Sequence, residues 1–194
     1  MRHKDCVRGA APPARSTLLE SQKRRALLRS ATALIALAAA GTLAPRARAR
    51  ALTIGAPAPP AVLVTLDGER IATADLRSRV VILTFWATYC EPCRDELPLL
   101  SRYASKYSSA GLSVLGFAID DPDQVTEVRR VANTLSFPVG FMRADSAPGY
   151  GRIWRLPANF TIGRDGRLVD DRWRQKNAAW TTNTLDQVIV PLLG

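Results

Sequence analysis

Apolar residues along the chain fall into uninterrupted runs and short alternating runs that predict β-strands. The run Val80–Trp86 is apolar or β-branched throughout, a pattern typical of a strand buried on both faces of a sheet. Residues 112–119 form a second run of this kind. Ahead of both, residues 62–66 and 70–74 flank the dipeptide Asp67-Gly68, which favours a tight hairpin between two short strands. The pattern therefore predicts a small hairpin followed by a buried sheet.

Three segments have apolar residues at helical spacing instead. The first begins at Cys90 and ends at Gly111, and charged residues occupy its other faces. Its apolar face consists of Leu97, Leu100, Tyr103, Ala104 and Tyr107. The second segment covers residues 123–135, and the third covers residues 179–193. Each predicted helix therefore has one face that can pack against the sheet.

The last predicted strands lie between the second and third helices. Residues 158–162 and 168–173 are joined by a polar turn at residues 164–167, which indicates an antiparallel pair. Residues 137–142 are a weaker candidate for a further short strand. Without that candidate the order is β-β-β-α-β-α-β-β-α, in which the βαβ unit implies parallel strands joined by a right-handed crossover. The sequence thus predicts an α/β domain with a mixed sheet.

Residues 1–51 have the order of a secretory signal peptide. A basic stretch with Arg24-Arg25 precedes an apolar, alanine-rich run over residues 31–44, and small residues follow. The 14-residue run is shorter than the roughly 20 residues that a membrane-spanning helix requires. The paired arginines resemble a twin-arginine signal. We expect either a cleaved signal peptide and a periplasmic or otherwise exported protein, or an anchor through residues 26–44, followed by one domain over residues 52–194.

The same leader accounts for the positive charge of the chain. The whole sequence has a formal net charge of +10, with 27 basic and 17 acidic residues. Residues 1–51 contain 11 of the basic residues and two of the acids, which leaves 16 basic against 15 acidic residues in the predicted domain. A nearly neutral domain has little surplus charge to attract a phosphate backbone. We therefore expect no nucleic-acid partner.

The cysteines identify the candidate chemistry. Cys6 and the single histidine, His3, lie in the leader, so the predicted domain has neither a Cys-His pair nor an imidazole for a zinc or copper site. Cys90 and Cys93 stand at positions i and i+3 on the first turn of a helix, where two sulfurs can form a disulfide. The helix N-terminus favours a thiolate at Cys90. We predict that Cys90 is the nucleophile of thiol-disulfide exchange and that Cys93 resolves the mixed disulfide.

Two other interpretations of the cysteine pair are less favoured. A zinc site needs a second pair of ligands, and the predicted domain has no further cysteine or histidine to supply it. A permanent structural disulfide would close a very short loop and would therefore add little stability. We expect no metal, and no cofactor beyond a redox-active disulfide between Cys90 and Cys93.

Residues 85–98, which read FWATYCEPCRDELP, resemble the active-site segment of the TlpA/ResA-like branch of the thioredoxin superfamily. The similarity extends to residues 55–59 and 156–162, and so covers nearly all of the predicted domain. The resemblance implies a thioredoxin fold, in which helices flank a central mixed β-sheet, here with an N-terminal β-hairpin extension. It also implies a thiol-disulfide oxidoreductase that acts on protein disulfides, which we expect to be a monomer.

The resemblance also implies roles for individual residues. Pro157 is expected to be a cis proline that faces the cysteines, and the backbone at Leu156 before it is expected to pair with substrate peptide. Trp86 is expected to pack under the motif. Glu91 and Pro92, between the cysteines, match a variant found in relatives that act as reductants. Together these five residues form the expected substrate-binding region.

One position departs from the ordinary thioredoxin pattern. Ordinary thioredoxins carry a buried acid six residues before the first cysteine, and this chain has Thr84 there. In ResA-like relatives an acid at the end of the following strand takes part in catalysis, which matches Asp120 or Asp121. The alternative is that both aspartates only cap the helix that follows Pro122. The residues themselves leave both interpretations open.

By resemblance, the favoured function is an exported reductant that receives electrons from a membrane thiol carrier. Its substrate would be a disulfide in apocytochrome c or in a copper-delivery protein. A DsbA-like oxidant would use the same two sulfurs in the opposite direction, and the reduction potential distinguishes the two. A thiol peroxidase is less favoured, because Ala87 replaces the threonine or serine expected three residues before the cysteine.

Overall fold

A computed structural model of the chain describes residues 52–194. The predicted leader, with its signal peptide or anchor, lies outside these residues. Within 52–194, no helix has the length and apolar character needed to cross a membrane. The strands and α-helices of this part are β1 Val62–Val64, β2 Arg70–Ala72, β3 Val80–Trp86, α1 Glu91–Tyr107, β4 Leu112–Ala118, α2 Val125–Ala132, β5 Val139–Phe141, β6 Ala158–Ile162, β7 Leu168–Asp171 and α3 Thr182–Val188.

Five of the strands form one mixed sheet in the order β5-β4-β3-β6-β7. Strands β3, β4 and β5 are parallel, whereas β6 pairs antiparallel with β3, and β7 pairs antiparallel with β6. Strands β1 and β2 form a separate antiparallel hairpin. The mixed sheet, the hairpin and the parallel β3-α1-β4 unit are confirmed, and the weaker strand candidate at residues 137–142 contains β5.

Strand β3 separates two hydrophobic cores and ends at the candidate site. All seven of its residues are buried, as its apolar run predicts. Val80, Ile82 and Trp86 face a core that includes side chains of α1 and α3, and the alternate residues face a core that includes the hairpin. Thr84 lies between Ile82 and Trp86 on the α1 face, so its hydroxyl points toward the active-site helix rather than toward the hairpin.

The hairpin packs closely on β5. The backbone N–H of Leu66 donates to the carbonyl of Val139 at 3.0 Å. Gly140 lies so close to the hairpin that a Cβ atom there would be 1.9 Å from the carbonyl oxygen of Val64. Only a residue without a side chain fits this contact.

The predicted helices are longer than the observed ones. The third prediction, residues 179–193, is wrong at both ends. Helix α3 begins after Thr181, whose side chain accepts a hydrogen bond from the backbone N–H of Thr184, and it ends at Val188. Pro191 cannot continue an α-helix, because it has no N–H and its ring clashes with the preceding turn. A 3₁₀ turn at Val190–Leu192 follows instead.

The ends of α1, α2 and β7 also differ from the predicted ends. Helix α1 stops at Tyr107 instead of Gly111, which adopts a φ of 91° in the turn beyond it. The second predicted helix begins with a 3₁₀ turn at Pro122–Gln124, so that α2 itself is shorter. Strand β7 stops at Asp171, and a 3₁₀ turn at Arg172–Arg174 takes the place of the predicted final strand residues.

Candidate active site

The two cysteines lie at the junction of β3 and α1. Cys90 is the N-cap of α1, and its Sγ accepts a hydrogen bond from the backbone N–H of Cys93 at 3.3 Å. The two sulfurs are joined by a disulfide, which confirms the predicted pairing. Cys90 is 8% exposed and Cys93 is completely buried, so a partner can reach only the first sulfur. This asymmetry is what a nucleophile and a resolving cysteine require.

The predicted substrate-binding residues divide into three groups. The Leu156–Pro157 peptide is cis, as predicted, and both residues line a groove of about 370 Å³ together with Pro92. Trp86 is fully buried and belongs to the core next to the cysteines. Glu91 is exposed on the first turn of α1 and does not line the groove. The structure therefore brings Pro92, Leu156 and Pro157 together and leaves the other two outside the groove.

The two candidate aspartates have different surroundings. Asp120 is 7% exposed, and its carboxylate accepts hydrogen bonds from the backbone N–H of Thr88, at 3.0 Å, and from the Thr88 hydroxyl. Asp121 is exposed, and its side chain makes no capping hydrogen bond, although its carbonyl accepts from the N–H of Gln124. The helix-capping alternative is therefore wrong for Asp120, whose carboxylate bonds Thr88 instead. Asp121 does occupy the N-cap position of the 3₁₀ turn at Pro122–Gln124, but without a side-chain capping hydrogen bond. Asp120 holds the loop that leads to Cys90, and its predicted role in proton transfer stays a prediction.

The structure adds a buried acid that the sequence reasoning missed. Glu96 lies one helical turn after Cys93 and is 1% exposed. Its carboxylate accepts hydrogen bonds from the Thr84 hydroxyl at 3.3 Å, from the Asn159 side-chain amide at 3.1 Å to each oxygen, and from the Trp180 backbone N–H at 2.7 Å. Thr84 therefore stands beside an acid that comes from the helix instead of from the strand.

Sheet register explains why these polar groups meet. Thr84 of β3 and Asn159 of β6 are direct partners in the antiparallel pair, so their side chains share one face of the sheet. Glu96 lies on α1, and its carboxylate contacts both of these side chains. The amide of Asn159 also donates to the carbonyl of Ala178 at 3.2 Å, which ties the segment before α3 to the same carboxylate.

Burial changes the acid strength of Glu96. Removal from water raises its pKa from 4.5 to about 7, because the charged form loses solvation. The hydrogen bonds from Trp180, Asn159 and Thr84 and the positive charge of Arg172 oppose this rise without cancelling it. Arg172 is itself 4% exposed, and its guanidinium lies 4.3 Å from the centre of the Trp180 ring. Glu96 can therefore take up or release a proton near neutral pH.

A signal for Glu96 was present in the sequence. Position 96 is three residues after Cys93 and four before Leu100, which places it on the apolar face of α1. A carboxylate on a face that packs against the sheet indicates a buried acid. Its partners carry no such signal, because Asn159 and Trp180 lie 63 and 84 residues further along the chain. Within residues 52–194, no three histidine, cysteine, aspartate or glutamate side chains lie together in a way that could hold a metal ion.

Comparisons with known proteins agree with this geometry. Residues 54–170 match the AhpC/TSA family. The chain is 32% identical over 121 residues to the thiol-disulfide oxidoreductase ResA of Bacillus thuringiensis (strain Al Hakam), covering 61% of this chain and 69% of that protein. It is 27% identical over 151 residues to the thiol-disulfide oxidoreductase ResA of Bacillus subtilis (strain 168), covering 76% of this chain and 84% of that protein.

Solved structures of thiol-disulfide proteins also superpose on this chain. A putative thiol:disulfide interchange protein DsbE from Chlorobium tepidum superposes with a TM-score of 0.61 at 25% identity, over 74% of this chain and 100% of that one. A putative protein disulfide isomerase from Bacteroides thetaiotaomicron superposes with a TM-score of 0.59 at 26% identity, over 71% of this chain and 86% of that one. The chain therefore belongs to the AhpC/TSA family of thioredoxin-like proteins and is a TlpA/ResA-like thiol-disulfide oxidoreductase.

Proposed function

We propose that this oxidoreductase is an exported reductant of protein disulfides. The observation that supports this most is the Cys90–Cys93 disulfide at the N-terminus of α1, in which only Cys90 keeps any exposure, 8%. Pro92, between the two cysteines, lines a groove together with Pro157. In the reduced protein, the Cys90 thiolate attacks one sulfur of a partner disulfide and forms a mixed disulfide. Cys93 then attacks the Cys90 sulfur and releases the partner as a dithiol. The partner gains two electrons and two protons, and the Cys90–Cys93 disulfide forms again.

The second step needs a base, which we assign to Glu96. Cys93 is buried, and it must lose its proton before it can attack, since the thiolate is the nucleophile. Residues three apart on a helix lie on the same face, so Glu96 is a neighbour of Cys93 under the motif. With a pKa raised by burial to about 7, its carboxylate can accept that proton at neutral pH.

The same carboxylate supports the reducing direction. A strong oxidant such as DsbA owes its potential to a stabilised reduced form with a stable thiolate. A buried carboxylate beside the cysteines opposes a second negative charge on sulfur, because the two charges are weakly screened there. The reduced form is therefore less stable, and the protein gives up its electrons more readily.

The reduction potential of the Cys90–Cys93 pair tests this direction. Equilibration of the purified domain in dithiothreitol redox buffers, followed by thiol alkylation and mass measurement, gives the potential. We expect a value nearer to about −270 mV, as in thioredoxin, than to about −120 mV, as in DsbA. A value near the DsbA end would contradict the reductant and favour the oxidant.

Export and the identity of the partners belong to the same proposal. The order of basic, apolar and small residues in 1–51 supports a signal peptide. By resemblance to the TlpA/ResA-like branch, we expect the substrate to be a disulfide of apocytochrome c or of a copper-delivery protein, and the electron donor to be a membrane thiol carrier. N-terminal sequencing of the protein from fractionated cells tests export. A mature start at Met1 or anywhere before Ala31 would contradict cleavage.

The role of Asp120 is tested by its replacement with asparagine. If Asp120 takes part in proton transfer, Asp120→Asn shifts the pH dependence of disulfide exchange, whereas Asp121→Asn leaves it unchanged. An unchanged pH dependence in both variants would leave Asp120 with only its structural contact to Thr88.

A further inference from the structure

The groove beside the disulfide is positively charged. Nine residues line it, and its two titratable side chains, Arg155 and Lys176, are both cations. No carboxylate lines the groove in the part of the chain that the structure describes. Glu96 lies beneath the adjacent segment but is buried, and Glu91 is exposed outside the groove. A partner in this groove therefore meets two positive charges and no lining acid.

Arg155 is held in place by the segment after β7. One of its terminal nitrogens, Nη2, donates to the carbonyls of Trp173 and Gln175, and the Trp173 indole N–H donates back to the carbonyl of Arg155 at 3.1 Å. Within residues 52–194, the other terminal nitrogen, Nη1, donates no hydrogen bond, and it is not fully buried. A fixed guanidinium loses little further side-chain freedom when it binds a carboxylate.

The acids near this segment have other partners. Asp171 pairs with Arg174 at 2.9 Å, and Asp170 accepts a hydrogen bond from Gln175 at 3.3 Å. Among the described residues, Arg155 and Lys176 form no ion pair. The two cations of the groove therefore remain available to a ligand.

The groove and the reactive sulfur are adjacent. Pro92 lies between the two cysteines in the chain and lines the groove together with Leu156 and Pro157. A polypeptide whose sulfur is bonded to Cys90 therefore places its neighbouring side chains next to this lining. The exposed ring of Trp154, which is 73% accessible, lies 5.9 Å from the Arg155 guanidinium and outside the groove lining.

We infer that the groove selects protein segments that carry an aspartate or glutamate within a few residues of the reacting cysteine. The inference rests on the proposed function, since it takes Cys90 as the sulfur that attacks a protein disulfide. Arg155 and Lys176 bind the partner's carboxylate, which increases the rate of productive encounter and opposes segments with lysine or arginine at that place.

A set of matched peptides tests the inference. Three disulfide-containing peptides are identical except for one residue next to the cysteine, which is glutamate, glutamine or lysine. The reduced domain reduces each peptide, and kcat/KM is measured at low and at high salt. We expect kcat/KM to be highest for the glutamate peptide, intermediate for the glutamine peptide and lowest for the lysine peptide. At low salt the glutamate and lysine peptides should differ by about fivefold, which is the size of effect that an exposed ion pair supplies. Salt should compress that span, because it screens exposed charges.

Variants locate the effect in the groove. The double variant Arg155→Gln/Lys176→Gln should reduce the three peptides at nearly equal rates. Lys106→Gln removes the same kind of charge near the far end of α1 and should keep the wild-type order. Because Arg155 also holds the segment after β7, the single variant Lys176→Gln, at an exposed position, should narrow the span without disturbing that segment.

The outcomes separate this inference from the proposed function. If the wild-type domain fails to reduce the glutamine peptide, the proposed reductant itself is contradicted. If it reduces all three peptides at equal rates, exchange stands and the acidic preference is wrong. If Lys176→Gln and the double variant both keep the full wild-type span, the groove does not carry the selectivity and the inference is overturned.

Discussion

Glu96→Gln removes the buried carboxyl group that lies one helical turn after Cys93. Glutamine has nearly the same shape as protonated glutamate, and its carbonyl can still accept from the Trp180 N–H and the Asn159 amide. The variant therefore keeps the packing and loses the charge. The difference in unfolding free energy between wild type and Glu96→Gln therefore depends on pH, because only the wild type can ionise at this position.

The sign and size of the effect follow from the raised pKa. In the folded protein Glu96 holds its proton up to about pH 7, whereas in the unfolded chain it loses it near pH 4.5. Between these values the folded state binds more protons, so the free energy of unfolding falls as the pH rises. A factor of ten in proton affinity is worth about 1.4 kcal/mol, so the free energy of unfolding falls by roughly 3 kcal/mol in total between these two pH values. Glu96→Gln should remove this loss and be the more stable form at pH 8.

Urea unfolding of the oxidised domain at several pH values between 4 and 9 measures this difference. Asp170 and Asp171 also have a raised pKa through burial, so the wild-type slope contains their contribution. The quantity to compare is the difference between wild type and Glu96→Gln. Asp95→Asn, at an exposed position on the same helix, is the matched control and should keep the wild-type slope. Parallel curves for wild type and Glu96→Gln would refute the assignment of a buried, proton-binding carboxylate.

Three further substitutions test other parts of the structure. Asn159→Ala removes two hydrogen bonds to Glu96 and should destabilise the domain by about 2 kcal/mol at pH 8 and by less at pH 4, where the acid is neutral; equal losses in urea unfolding at both pH values would contradict this. Gly140→Ala should lower the thermal unfolding midpoint by the equivalent of about 2 kcal/mol, because its Cβ would collide with the Val64 carbonyl, and an unchanged midpoint would be evidence against the close hairpin contact. Trp154→Ala should change the unfolding free energy by less than about 0.5 kcal/mol, since the ring is largely exposed, and a larger loss would mean that the ring is packed.

The parts of the fold that the sequence predicted are those governed by local pattern. The buried run Val80–Trp86 is an entirely buried central strand, and the dipeptide Asp67-Gly68 joins the two hairpin strands. The spacing of Cys90 and Cys93 placed both sulfurs on the first turn of a helix, where the structure has them joined. Helix ends were less predictable, because single residues such as Pro191 end an apolar face that the spacing alone would continue.

The buried polar cluster was not predictable in the same way. The hydrogen bonds of Glu96 link α1 to β6 and to the segment before α3, so they depend on the completed fold. Only the position of Glu96 on the apolar face of α1 could have identified it beforehand. The choice between Asp120 and Asp121 likewise depends on where β4 ends, since one residue decides which carboxylate turns inward toward Thr88.

Trapping with Cys93→Ser tests the central claim most directly. This variant retains the nucleophile and lacks the resolving sulfur, so reaction with a disulfide substrate should stop at a mixed disulfide. We expect mass spectrometry to locate the partner on Cys90, and we expect Cys90→Ser to trap nothing. A Cys93→Ser protein that keeps a reduced, accessible Cys90 and still forms no mixed disulfide with any disulfide substrate would contradict the exchange mechanism.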